Sequence, residues 1–452
     1  MMGPSSANST DAHDAYESPI EPSNRPMNGG HVPDAVPLLL QSSKPENSDS
    51  DDVLRSFRVS LRWCALDHSS WMGMWVSVFT FVFLAALVPL ASSVLVQYRD
   101  SSASDDDPIS FNKLVQLPVS ALASIGFFTL SMFFRKYSLR QLLFLEGLEG
   151  DSSYVQRGYR RELDRAFRYL AWILLPSFLV ELTHKIVFFL NVTVYVPCIS
   201  SEVAAKILLA VLVLWSWVYR TGLFLLVCVL FRLTCELQIL RFQGFRKLLE
   251  GDYSEPDMSV IFREHARIKT QLSATSHRYR CFIIGCLVTI TVSQFGALLL
   301  VLASEETKTF FNSGDLIVCS AVQLSGFCLC LVAAAKITHR AQGLVGIATR
   351  WHLISSSAFS RSGPAKEPDQ TFSDSDIESV SWDSLVQTRP ISLDLPSFHI
   401  RQALVAYLQH NSGGVTIYGF ALDRGLLHTL FAFEFSLVLW ILSKVVVLSS
   451  SS

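Results

Sequence analysis

The sequence predicts an all-α membrane protein with seven transmembrane helices. Three observations carry that prediction: seven long apolar runs, an alternation of basic charge between them, and a composition poor in charge. The runs fall at about 71–97, 114–134, 167–190, 204–231, 281–303, 314–335 and 426–448. Each holds roughly 20 mostly apolar residues, enough to cross a hydrocarbon core of about 30 Å. Backbone polar groups in lipid must be satisfied within the segment, so each run is expected to be a helix. Half of the 452 residues are hydrophobic and 17% are charged, against about 25% in soluble domains.

Basic residues set the orientation. Arg55, Arg58 and Arg62 precede the first run. The second loop carries Arg135, Lys136, Arg140, Arg157, Arg160, Arg161 and Arg165, and the fourth Arg232, Arg241, Arg246, Lys247, Arg263, Arg267, Lys269 and Arg278. The sixth is basic as well, with Lys336, Arg340 and Arg350 among others. By contrast, Arg99 and Lys113 of the first loop are diluted by four aspartates, the third has no cation before Lys206, and the fifth has only Lys308. The positive-inside bias then predicts a cytoplasmic N-terminus and an outside C-terminus. That is the reverse of a G-protein-coupled receptor. The basic loops would face an anionic inner leaflet. No clustered base-contacting pattern points to nucleic acid.

Residues 1–52 hold too few apolar side chains to order themselves and are expected to be a disordered cytoplasmic tail. They lack the apolar core of a signal peptide, so the first span should act as an uncleaved anchor. Within the tail, Asp34, Leu38 and Leu39 form either an acidic dileucine sorting signal or a chance match. Plasma membrane is the preferred residence, with vacuolar or endosomal membrane left open.

Residues 53–354 are expected to hold spans one to six with helical extensions beyond the membrane. Leu233, Leu237, Leu240, Phe245, Leu248 and Leu249 make a helical stripe after the fourth run, broken at Gly251-Asp252. A second helix should run from about 257 into the fifth span, and the sixth should continue to about 350. Residues 355–396 are Ser/Asp/Pro-rich and expected to be a disordered linker. Ser373 and Ser375 lie there in an acidic setting that suits phosphorylation, or else simply solvates the linker. Residues 397–448 should form a helix with Ile400, Leu404, Tyr407 and Leu408 on one side, a stop at Gly413-Gly414, and the last span. A short tail, 449–452, follows.

Ionisable residues inside spans mark functional candidates. Glu181, His184 and Lys185 share one helical face in the outer half of the third span. Either Glu181 pairs with Lys185, or the face belongs to a ligand pocket. Arg220 of the fourth span and Glu434 of the seventh lie at similar depths, so they could pair; alternatively Glu434 lines a cation pore. Asn191-Val-Thr193 is a glycosylation sequon in the third loop. The nine cysteines sit mostly within spans, as apolar packing groups rather than a disulfide framework. No phosphate-binding loop, zinc-spaced cluster or nucleophile elbow is present in the sequence, so neither an enzyme nor a cofactor or metal is expected.

The architecture, together with Tyr418-Gly-Phe-Ala-Leu-Asp423-Arg424-Gly-Leu-Leu-His428, resembles the insect gustatory and odorant receptors. The nearest resemblance is to the plant gustatory-receptor-like family, once classed as a plant domain of unknown function. It covers about 53–350 and 397–448. The resemblance implies a homotetrameric, ligand-gated cation channel with a small-molecule pocket in each subunit's bundle. It places an intersubunit anchor at about 232–279, 336–350 and 397–412. It makes 426–448 the pore helix, with Glu434, Ser436 and Ser443 as lining candidates. Insect members carry Thr-Tyr, five apolar residues and Gln-Phe in that helix, where this chain has Ser436-Leu437 and Ser443-Lys444. The alternatives are a non-conducting membrane scaffold or signalling protein of the same fold, and a monomeric transporter using Glu181, His184 and Arg220.

Overall fold

The computed structural model describes residues 71–98, 108–136, 148, 151–194, 201–250, 258–303, 310–361, 395–411 and 413–450. The tail with Asp34, Leu38 and Leu39, and the linker serines Ser373 and Ser375, lie outside the described residues.

The first span is built from α1 (Trp71–Val82), a π-helical turn (Phe83–Leu87) and α2 (Val88–Leu95). It runs into β1 (Val96–Tyr98). Then come α3 (Pro108–Lys136), α4 (Ser153–Asn191), β2 (Val192–Val194), α5 (Glu202–Glu250), α6 (Met258–Ala303) and α7 (Phe310–Arg361). The chain closes with α8 (Leu395–His410), a hairpin of β3 (Thr416–Ile417) and β4 (Phe420–Ala421), and α9 (Arg424–Ser450). Among the described residues, seven helical segments are long and apolar enough to cross a membrane, one for each run in the sequence.

The central helix is α5. Of its apolar window 83% is buried, against 17% for α9. It packs on α3, α4, α6 and α7, whereas α9, among the described residues, leans chiefly on α6 and α7. Gly326 of α7 lets two of these helices close up, since a Cβ there would sit 2.7 Å from the Phe224 ring.

Several features depart from the sequence reading. A two-stranded antiparallel sheet pairs Val96 with Val194 at the end opposite the basic loops. The helix that carries the third span begins well before the apolar run, at Ser153, because Val155, Tyr159, Leu163 and Ala166 continue one buried stripe at helical spacing. The expected linker is helical at both edges, as α7 runs to Arg361 and α8 starts at Leu395. On α8, Leu404 and Leu408 are buried as expected, but Ile400 is exposed and Arg401 is buried in its stead, over the Trp351 ring at 5.9 Å. A guanidinium can stack on an indole face while an isoleucine cannot.

At the basic end the helices are tied by one carboxylate. Asp151 accepts from Arg241 Nε at 2.9 Å and Nη2 at 2.7 Å, and pairs with Arg267 at 3.1 Å. Arg241 also donates to Gln271. The chain entering α4 is thereby fastened to α5 and α6. On α8, Tyr407 meets His265 and Phe262 of α6 edge-on.

Candidate functional site

Helix α9 is held along one narrow seam of Glu434, Leu437 and Ile441, all buried at spacings of three and four. At about 100° per residue, Ser436 lies about 200° round the helix from Glu434, and Ser443 about 20° from Ser436. Glu434 is 1% exposed and turned into the protomer; Ser436 and Ser443 are both exposed. The three lining candidates therefore do not share a face. On the exposed side Thr429, Ala432, Ser436 and Ser443 form a stripe of small or polar residues between Phe433, Leu439 and Trp440.

The Arg220–Glu434 pair is not formed. Glu434 Oε1 instead accepts from Thr291 Oγ1 of α6 at 2.5 Å, and Oε2 has no hydrogen-bond partner among the described residues. Gln294, one turn further along α6, is fully buried, with neither amide atom hydrogen-bonded among the described residues. Arg220 donates from Nη1 to Ser120 Oγ of α3 at 3.0 Å. Ser120 Oγ in turn donates to Ala85 O at 3.0 Å, while Ser216 Oγ donates to Leu84 O at 2.5 Å. Both carbonyls belong to the π-helical turn, where the i→i+5 pattern departs from the α-helical ladder and neighbouring side chains supply hydrogen bonds. The arginine thus reaches the first span through a serine.

Arg220 also borders a small cavity with Trp217, Thr221, Phe224, Val322 and Gln323. Its free volume is about 10 Å³, room for a single water. Pockets for drug-sized ligands run from about 300 Å³ upward, so a larger guest needs these side chains to part. Gln323 Oε1 is buried without a hydrogen-bond partner among the described residues, an acceptor ready for a donor.

Glu181 and Lys185 form an ion pair, one of the two readings of that face, at 3.5 Å and almost fully buried, with Lys185 also over the Phe188 ring at 5.6 Å. His184 is buried beside them. Asn191 is the last residue of α4, and its sequon runs into β2.

The quoted sequence from Tyr418 to His428 has a structural meaning. Tyr418 (φ 48°) and Gly419 (φ 91°) occupy the two turn positions of the hairpin, where positive φ at both residues matches strand twist. Asp423 then caps α9, its Oδ1 accepting from the Leu426 amide at 2.7 Å. Arg280 covers the Tyr418 ring at 5.3 Å, and Ser276 Oγ accepts from the Thr416 amide at 3.2 Å. The hairpin is thereby fixed to α6.

Sequence reasoning passed over Thr291, Gln294, Ser120, Ser216 and Gln323, because one hydroxyl or amide in an apolar run carries no signal by itself. Counting polar residues on the buried stripes of neighbouring spans was the one route to them.

Taken together, these features define a seven-helix polytopic membrane protein with helices extended beyond the membrane at the basic end. The family described as "Protein of unknown function (DUF3537)" matches residues 52–433, and the chain belongs to that family. No curated protein matches it in sequence. Among solved structures, the insect olfactory receptor OR5 from Machilis hrabei is similar over 87% of this chain and 98% of that one, at 11% identity with a TM-score of 0.54. The same receptor in complex with eugenol gives a TM-score of 0.51 over the same shares. At that identity the likeness shows the fold: the chain has the insect olfactory receptor fold.

Proposed function

We propose that this protein is a homotetrameric cation channel gated by a small molecule, with α9 lining a central path and the basic ends in the cytoplasm. The observation that carries the reading is the way α9 is held. A transmembrane helix buried along one seam, with a stripe of small hydroxyl residues bare on the other side, suits a partner surface or a water-filled path better than lipid. The likeness to an olfactory receptor, one solved with eugenol bound, supports a ligand-responsive role. The Arg220 cavity is the ligand site we favour, opening as side chains part, with Gln323 and Arg220 to orient a polar group. Lining of the path falls to Ser436 and Ser443, while Glu434 holds α9 to α6.

One observation favours a non-conducting scaffold of the same fold. Glu434 is the sole acidic residue of α9, and it faces away from the exposed stripe. Cation preference would then rest on hydroxyls alone.

Cross-linking tests the proposal without a ligand. In a Cys281→Ser background, which removes the exposed thiol of α6, Ser443→Cys is expected to give disulfide-linked dimers on mild oxidation in membranes. Glu434→Cys, buried within its own protomer, is expected to give none. Monomers from Ser443→Cys would count against a central α9.

A further inference from the structure

Helix α4 carries one outward face along its whole length, and that face changes character at a single point. Arg157, Arg161, Arg165 and Arg168 recur every three or four residues, which places them within one quadrant of the helix. All four are exposed. The same quadrant continues as Trp172, 81% exposed, then Leu175, Leu179, Ile186 and Leu190, all exposed. An exposed apolar stripe on a membrane-spanning helix faces acyl chains, and an exposed tryptophan at its edge is where the headgroup region begins. Arg168 is one turn from Trp172, about 6 Å along the axis, and Arg165 about 10 Å. Both fall within about a Debye length of the headgroups.

Among the described residues neither Arg161 nor Arg168 has a hydrogen-bond or ion-pair partner. Arg165 is shared with Glu162 at 2.7 Å, Arg157 Nε donates to Ser153 O at 3.2 Å, and the exposed Asp164 flanks the stripe. The face is basic on balance, and it abuts the lipid surface without a break.

We propose that this arginine stripe, with Trp172 as its apolar stop, is a docking face for anionic phospholipid in the leaflet at the basic end. Guanidinium groups take phosphate in paired hydrogen bonds, and the tryptophan fixes the depth at which they meet it. The proposal stands apart from the channel reading, because it needs the fold and not a current.

The test uses the full chain exchanged into nanodiscs of phosphatidylcholine with one quarter phosphatidylserine. Lipids retained per protomer are then counted by native mass spectrometry. Wild type is expected to retain phosphatidylserine over phosphatidylcholine, less so as salt rises. Each arginine near the surface is worth about fivefold in that preference, so Arg165→Gln with Arg168→Gln should lower it about twenty-five-fold. Arg165→Lys with Arg168→Lys should keep much of it, which separates charge from folding damage. Equal retention of both lipids by wild type would overturn the proposal. So would an unchanged preference in the glutamine variant, or competition by soluble inorganic phosphate at millimolar concentration, which would indicate a free-anion site instead.

Discussion

At the residue scale, the buried polar groups decide most. Thr291 gives Glu434 the one hydrogen bond it has among the described residues. Thr291→Val is expected to leave a bare carboxylate in the bundle and to destabilise it by about 1–3 kcal/mol. Glu434→Gln, still able to accept from Thr291, should cost less. Thermal unfolding in detergent checks both, and equal stability of Thr291→Val and wild type would contradict the contact. Asp151→Asn is expected to cost about 3 kcal/mol, since it strips Arg241 of its buried counter-charge. Faster amide exchange across 258–275 should accompany it, because Arg267 shares the same carboxylate. The sequence showed Glu181, Lys185, Arg220 and Glu434 as conspicuous charges in apolar runs. It could place Glu181 with Lys185, since one helix turn fixes that spacing. The partners of Arg220 and Glu434 come from other helices, whose rotation about their axes depends on packing that no single run reveals.

At the element scale, the runs and their extensions were legible because the apolar period persists across the membrane boundary. The stripe from Leu233 to Leu249 gives the end of α5, and the Gly251-Asp252 break precedes α6. The matching extension of α4 was hidden among arginines, although Val155, Tyr159 and Leu163 mark it. The two small sheets were not legible, because two or three residues are too few to show a period of two. The turn at Tyr418-Gly419 and the cap at Asp423 set where α9 begins. Asp423→Ala is expected to remove about 1 kcal/mol from the start of that helix and to raise amide exchange over 424–430 while the rest of the chain stays protected. Unchanged exchange there would show that the cap is dispensable.

At the scale of the whole molecule, the protomer has a centre and an edge. Helix α5 is enclosed by its neighbours, while α9 is left at the side with its small-residue stripe bare. In the proposed assembly, four copies about an axis would cover that face of α9. The extended helices at the basic end, tied through Asp151 and through Tyr407 against α6, make a rigid base on which such an assembly could close. In the assembly we propose, the exposed α4 face, basic and then apolar, would lie on the outer rim against lipid.

The central claim is that α9 surrounds a shared path. Single-particle imaging of the purified protein in nanodiscs tests it most directly, since particle symmetry needs neither a ligand nor a current. The account predicts a fourfold particle joined at its basic ends, with Ser436 and Ser443 of each copy facing the axis. A monomer, or a dimer with α9 turned to lipid, would contradict it.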